Sequence, residues 1–332
     1  MNIGIIGFGK MGQTRATAIE SSGCGKIVKV YDANQELDFR GYPLGKDPQE
    51  IIADPSIDAV FICTPNHLNK PLTLAALDVG KHVFCEKPPA FTVADVEEIR
   101  VKEAQSGKKL MYGFNHRHHR SIKTMKSLID NGEYGEVIWM RGRYGKSVDA
   151  RFFETWRAQR QYAGGGILLD QGIHMVDLFL YLGGTFDQVN AFVSNQYWKR
   201  DVEDNVFAIL KNSQTGVTAS LHSTMTQWRH LFSLEVFLSK GYMVLNGLLT
   251  STRTYGDEIL SIAKNRSTAP AATWEDEERI TYDSDKSWRS EIDHFFEAIA
   301  TDSPITIGSS QDALAVMKVI EDIYRSDPSY GS

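Results

Sequence analysis

The chain has 332 residues, a formal net charge of −6, and hydrophobic, charged and aromatic shares of 42%, 23% and 11%. That length favours two domains over a single core, and the balance is that of a folded globular protein rather than a disordered one. An acidic total without a basic tract of five or more residues carries no footprint for phosphate backbones, so no nucleic-acid partner is expected.

The apolar run from Ile3 to Phe8 is far too short to span a membrane, and no basic leader precedes it. No membrane partner is expected. Cys24, Cys63 and Cys85 are odd in number and scattered, two of them in apolar runs, which fits a reducing cytoplasm.

From the N-terminus, short β-branched runs alternate with amphipathic stretches, the pattern of a parallel sheet covered by helices on both faces. Strands are expected at Asn2–Gly7, Lys26–Asp32, Asp58–Thr64, His82–Glu86 and Lys109–Phe114. Helices are expected at Lys10–Ser22, Pro48–Ala53, His67–Val79 and Thr92–Ser106, the last opening on a Thr92 cap and closing at Gly107. After Phe114 come a helix to about Asn131, a strand over Glu136–Tyr144, and one long helix, Ile167–Leu182, stopped by Gly183-Gly184. Residues 189–250 read as consecutive strands of a mostly antiparallel sheet, with turns at Asn212-Ser213 and Lys240-Gly241. Lys264–Asp285 is polar, contains Pro270 and the acidic run Glu275–Glu278, and reads as a surface excursion. Helices at Trp288–Ala300 and Ser309–Ser326 close the chain.

Gly7-Phe8-Gly9-Lys10-Met11-Gly12 follows the first expected strand and opens the first expected helix. Its glycines allow a tight turn, close approach to a pyrophosphate and close helix packing, while the helix amides supply an anion site. A glycine loop alone is a weak signal, but Asp32 ends the second strand 20 residues after Gly12, as a dinucleotide fingerprint requires. A carboxylate there accepts from ribose hydroxyls and repels a 2′-phosphate, so NAD is expected over NADP. Asp32 and Pro48 are separated by 15 residues, too few for a full second crossover helix, and Arg40 in that loop could reach a phosphate.

Four further segments resemble the Gfo/Idh/MocA family of NAD(P)-dependent oxidoreductases: Thr64-Pro65-Asn66-His67, Glu86-Lys87-Pro88, Gly113-Phe114-Asn115-His116-Arg117 and the run from Gly164 to His174. Their order and spacing match as well, and the resemblance extends to about residue 250. It implies a Rossmann domain followed by an α+β domain with a large open, mostly antiparallel sheet. The corresponding boundaries are 1–117 for dinucleotide binding and 118–332 for substrate binding and oligomerisation, with C-terminal helices able to pack back on the first domain. Carried over by position, Lys87 matches the active-site lysine, and Asp170 and His174 match the catalytic acid and histidine. Thr64, Pro65, Asn66, His67, Glu86 and Lys87 match the segments beside the cofactor. Asn115 and Arg117 fall in the linking segment, and Asn115 counts among the expected substrate contacts.

Lys87 lies just beyond a buried strand, where ligands bind in open α/β sheets, and Pro88-Pro89 stiffens the chain after it; the alternative is a solvated surface lysine. Asp170 and His174 are four apart on an expected helix and share a face, so the carboxylate can orient the imidazole or accept from a substrate hydroxyl. With an ordinary pKa of about 6.5, the histidine can take and return a hydroxyl proton. A structurally satisfied histidine, or half of a metal site, is the rival. Adjacent residues in His116-Arg117-His118-His119 splay to different faces and do not converge on one ion, so no metal is expected. Arg157 could grip a substrate carboxylate or phosphate through its planar fork, or simply pair at the surface. Tyr144, Lys146 and Arg229 are weaker candidates, and Trp228 reads as sheet packing or an oligomer face.

Together these imply reversible oxidation of a secondary hydroxyl on a sugar, cyclic polyol or nucleotide sugar, with NAD. Two rivals stay open: a glycosidase with tightly bound NAD and no net redox change, and a non-catalytic dinucleotide sensor. The resemblance also implies a homodimer or homotetramer associated through the open sheet.

Overall fold

The structure, a computed structural model, describes residues 1–250, 252–265, 273–327 and 330. In chain order its elements are β1 (Asn2–Ile6), α1 (Lys10–Ser22), β2 (Lys26–Tyr31), α2 (Pro48–Ala53), β3 (Ala59–Ile62), α3 (Asn69–Asp78), β4 (His82–Cys85), α4 (Val93–Ser106) and β5 (Leu110–Tyr112). There follow α5 (Arg120–Asp130), β6 (Val137–Ser147), α6 (Arg160–Ala163), α7 (Ile173–Gly183), β7 (Gln188–Ser194), β8 (Asn205–Lys211), β9 (Thr218–Thr224) and β10 (Thr226–Leu238). β11 (Gly241–Asn246), β12 (Glu258–Lys264), β13 (Glu278–Tyr282), α8 (Ser287–Ala300) and α9 (Ser310–Ser326) complete the order. The chain divides into Met1–His118 with Lys286–Met317, and His119–Asp285 with Lys318–Ser332.

In the first unit, β1 to β5 form an all-parallel sheet in the order β2-β1-β3-β4-β5. Its inner strands β1, β3 and β4 are mostly apolar because helices cover both faces, with all four residues of β3 buried, whereas the edge strand β2 carries Lys26 and Lys29. Phe61 and Phe84 stack 4.9 Å apart, and Phe295 of α8 stands edge-on 5.7 Å from each. Burying such a ring contributes about 1.5–3 kcal/mol. Thr92 caps α4 as expected, in a reciprocal box with Asp95, and Gly107 ends it at φ +64°. The short loop after β2 holds neither a helix nor a full strand. A single parallel bridge, Val30 to Leu44, flanks β2 there.

The second unit is built on an eight-stranded sheet in the order β13-β12-β11-β10-β6-β9-β8-β7. Its neighbours are antiparallel except β6 and β9, which run parallel. α7 covers one face, and at Gly142 of β6 a Cβ would come within 2.3 Å of Met175 Sδ and 2.7 Å of Phe179 Cζ. Glycine is thus what lets helix and sheet approach so closely. The other face is open, and β8 alternates strictly, leaving Phe207 and Ile209 exposed.

Two expectations need correction here. Part of Lys264–Asp285 is no surface excursion: Glu278–Tyr282 is the edge strand β13, paired with β12. Its exposed polar side chains suit an edge, where charge discourages further pairing, but they resemble a loop in sequence. Pro270, in the same stretch, lies outside the described residues. The expected helix Ile167–Leu182 is not uniform either, because Leu168–Gly172 forms a wider π turn before α7.

Candidate active site

The glycine loop leaves β1 at Gly7, whose φ of +89° would strain any other residue. A Cβ there would meet the Cys63 carbonyl oxygen at 2.5 Å, and one at Gly12 would meet the Gly7 carbonyl oxygen at 2.1 Å. At Gly9 it would meet nothing within 4 Å. Gly7 and Gly12 therefore lock the turn, while Gly9 presents bare backbone to open space. Lys10 and Met11 begin α1, whose first turn has neither a side-chain cap nor an acidic residue. Its amides are thus suited to an anion such as a pyrophosphate.

Asp32 follows β2 and accepts from the Phe8 N–H at 2.6 Å and the Asn34 N–H at 2.9 Å, one on each oxygen. Each oxygen retains a second lone pair for a ribose hydroxyl. Arg40 is paired with Glu20 at 2.6 Å and bonded to Thr17 at 3.1 Å, so its charge is already matched on α1. The loop and Asp32 fit a dinucleotide.

Beyond β3, Thr64 and Pro65 lead into a 3-10 turn, Asn66–Leu68, which contains His67. The amide of buried Asn69 accepts from the Thr64 hydroxyl at 3.2 Å and donates to the carbonyls of Glu86 and Pro88 at 3.1 and 2.8 Å. It holds the chain on both sides of half-buried Lys87. The Lys87–Pro88 peptide is cis. Asn69 carries no sequence motif, and nothing local marks it.

Glu86 turns its carboxylate inward, 2.6 Å from Arg15 Nε. Arg15 is fully buried, also pairs with Glu291, and lies 4.4 Å from the Phe84 ring centre and 4.7 Å from that of Trp288. Burial opposes its charge, but Glu291 and Glu86 outweigh that and hold the guanidinium above its ordinary range. A Cβ at Gly113 would sit 2.8 Å from both Arg15 and Glu86, which explains the glycine opening that motif. Asn115 is buried, donating to Ser287 at 3.2 Å with its carbonyl 3.1 Å from His116 Nδ1. Arg117 pairs with Asp312 at 2.9 Å.

In the second unit, the triple glycine has a steric origin. Gly164 ends α6 at φ +81°, a Cβ at Gly165 would meet the Tyr324 hydroxyl at 2.3 Å, and one at Gly166 would meet the Glu203 carbonyl oxygen at 2.2 Å. The fully buried Glu203 carboxylate accepts from the backbone N–H groups of Gly166 and Leu168 at 2.7 and 3.0 Å, and from the hydroxyls of Tyr324 and Tyr330 at 2.9 and 2.7 Å. It takes up donors that the opening turn leaves without intrahelical partners. Burial first, then Glu203, pushes both phenols well above their ordinary pKa.

The π turn begun there carries Asp170; such turns are frequent at functional sites. Lys146 Nζ on β6 lies 2.6 Å from Asp170 Oδ2 and 4.5 Å from the Phe152 ring centre. Arg157 Nε is 3.9 Å from Asp170 Oδ1, its guanidinium over Trp156. Tyr144 packs 5.2 Å from Tyr255 and 6.5 Å from the buried imidazole of His174. The two tyrosine hydroxyls are hydrogen-bonded to each other, and burial raises both phenols. Tyr255 also donates to Gln171 at 3.4 Å. Lys146 and Tyr144, secondary candidates by sequence, thus stand beside Asp170 and His174. Tyr255 and Glu203 were unmarked, because only folding brings them to this helix.

Residues 1–114 match the model of an oxidoreductase family with an NAD-binding Rossmann fold, and residues 122–244 match the GFO/IDH/MocA C-terminal domain. The chain is 28% identical over 269 residues to a myo-inositol 2-dehydrogenase of Thermotoga maritima, covering 78% of this chain and 79% of that protein. It is 34% identical over 221 residues to a levoglucosan dehydrogenase of Pseudarthrobacter phenanthrenivorans, covering 61% of this chain and 56% of that protein. A solved structure of levoglucosan dehydrogenase in complex with NADH and levoglucosan matches with a TM-score of 0.87 and 25% identity, over 98% of this chain and 96% of that one.

Proposed function

We propose that this chain, which belongs to the Gfo/Idh/MocA family of oxidoreductases, is an NAD-dependent dehydrogenase. It interconverts a secondary hydroxyl and a ketone on a sugar, cyclic polyol or nucleotide sugar. The observation that carries this reading is the cluster around Asp170, in which a carboxylate, the Lys146 ammonium and two bonded tyrosines adjoin the helix of His174. Such a gathering of titratable groups is what acid–base work on a hydroxyl needs.

The nicotinamide, when bound, supplies the hydride acceptor or donor. Gly7, Phe8, Gly9, Lys10, Met11 and Gly12 cradle the pyrophosphate, and Asp32 takes the ribose hydroxyls and disfavours NADP. Thr64, Pro65, Asn66, His67 and Glu86 shape the cofactor side. Lys87 holds the reacting oxygen, His174 takes its proton in oxidation and returns it in reduction, and Asp170 orients the imidazole or accepts from a neighbouring substrate hydroxyl. Arg157 and Asn115 complete the substrate contacts.

In this reading residues 1–117 are the cofactor domain and 118–332 the substrate and oligomerisation domain, except that the C-terminal stretch Lys286–Met317 joins the first unit. The enzyme self-associates as a dimer or tetramer through the open sheet face, where Phe192, Phe207 and Ile209 are exposed. Its free thiols suit the cytoplasm. Among the described residues no helix is long and apolar enough to cross a membrane.

The test is a screen of sugars, polyols and nucleotide sugars for net NADH formation, with Lys87→Ala and His174→Ala alongside. Both variants are expected to lose turnover while binding NAD nearly as the parent does. Parent-like rates in either would overturn the roles given to these side chains, and no turnover of any substrate would overturn the reaction.

A further inference from the structure

We infer that Tyr197, Trp198 and Trp228, with Phe153 behind them, form a stacking platform for a second sugar ring, so that the preferred substrate is a glycoside rather than a free monosaccharide. This rests on the dehydrogenase reading above.

The pairing of β10 with β6 breaks register between Thr226 and Leu231. Within the break Trp228 adopts φ +57°, a region that bulky side chains rarely occupy and that tends to persist where function requires it. Trp228 is 60% exposed, and Tyr197, which it meets, is 57% exposed. Lys199, in the loop next to Trp198, also has positive φ, +50°. Two strained residues therefore border one patch of uncovered aromatic surface.

The backbone of Tyr197 and the whole of Trp198 are held in place by their surroundings. The buried carboxylate of Asp204 accepts the backbone N–H groups of Tyr197 and Trp198, both at 2.9 Å, and the Trp198 indole N–H donates to the Met225 carbonyl at 3.2 Å. Little freedom is left to lose when a ligand arrives. Tyr197 meets Trp228 at 4.8 Å and 73°, and Trp198 at 5.0 Å and 89°. An edge-to-face pair covers a face of only one of its two rings, and Tyr197 and Trp228 both remain more than half exposed.

The patch is continuous with the candidate site. From Trp198 the aromatic series runs to Phe153 at 4.8 Å and on to Phe152 at 5.2 Å. Phe152 lies under Lys146, the partner of Asp170. A ring attached to the reacting sugar would extend along this series.

The chemistry of the patch selects the occupant. The C–H face of a pyranose is apolar with slightly positive hydrogens, complementary to the negative face of an aromatic ring. The hydroxyl rim needs donors, and Lys199, Arg200 and Arg229, adjacent in sequence to these rings, are exposed. Arg200 also lies 5.3 Å from the Phe153 ring centre.

The test uses the full chain with NAD and a panel in which each monosaccharide is paired with its methyl glycoside and a disaccharide containing it, such as glucose, methyl β-glucoside and cellobiose. The parent enzyme should show a higher kcat/KM for the disaccharide. Trp228→Ala and Tyr197→Ala should each lower that value by about tenfold, mainly through KM, while leaving the monosaccharide unchanged. Equal parent values across each set, or a proportional loss on all sugars, would overturn the platform alone. A smaller assembly on sedimentation of either variant would reassign the rings to a subunit contact and overturn it too. No turnover of any sugar by the parent would overturn the reaction and, with it, this inference.

Discussion

Replacing Glu203 with glutamine preserves shape and removes one acceptor where four donors converge. Oε2 serves the Gly166 N–H and the Tyr330 hydroxyl at 2.7 Å each, and Oε1 serves the Leu168 N–H and the Tyr324 hydroxyl at 3.0 and 2.9 Å. The new amide NH2, on either side, faces a backbone N–H that cannot turn away, although a phenol could rotate to accept. One stranded buried donor costs about 1–3 kcal/mol, and loss of charge assistance adds about 1 kcal/mol for each remaining bond. Relief from burying a carboxylate offsets part of this, leaving a net loss of about 3 kcal/mol. For a unit of this size the Tm should fall by about 6–12 °C. Calorimetry on the purified variant measures this directly. Because Asp170 lies two residues beyond Leu168, kcat should also fall more than NAD affinity. A Tm within about 2 °C of the parent would refute the assignment of Glu203 as the anchor of this helix.

Asp32→Ala leaves the Phe8 and Asn34 N–H groups without their acceptor and should weaken NAD about tenfold or more while relaxing discrimination against NADP, read by titration with each cofactor. A parent enzyme that strongly prefers NADP would refute the role of Asp32. Burial, with repulsion from Lys108 and Lys109, lowers His82 to about 4, and its neutral ring accepts the Lys109 N–H at 3.0 Å. The unfolded chain protonates this histidine near 6.5, so stability should be greatest above about 6.5 and decline as pH falls towards about 4, by about 1–2 kcal/mol after allowing for partial exposure. His82→Gln should flatten that slope in urea melts, and an unchanged slope would refute the linkage.

The features legible in sequence were those written in neighbouring residues. Thr92 with Asp95 and Gly107 delimits α4 through contacts within a few positions. The glycine loop and Asp32 were readable because backbone sterics leave few alternatives at Gly7 and Gly12. The alternation in β8 survived because one face is covered and the other is not. The π turn at Leu168–Gly172 was illegible for the opposite reason. Its opening is pinned by Glu203, and Gly172 packs against Ser223, where a Cβ would come within 2.9 Å of the hydroxyl. Neither partner is near it in sequence. Lys146 was only a weaker candidate by sequence, because its partner Asp170 stands 24 residues away in the chain. β13 was lost because an edge strand needs charge where a central strand needs apolar side chains.

Among the described residues, the backbone pairing on the outer side of β2 is the isolated bridge between Val30 and Leu44, with hydrogen bonds from Val30 N–H to Pro43 O and from Gly45 N–H to Val30 O, both 2.9 Å. The stretch from Ala33 to Asp47 consequently carries almost no share of the sheet. Phe39 and Tyr42 tie it to the core by packing 5.9 and 5.8 Å from Phe8, but its exposed positions, such as Asn34, Gln35 and Glu36, can change charge without touching the ladders among β1 to β5. A lineage could retune the charge beside the ribose through this segment while the sheet stays as it is.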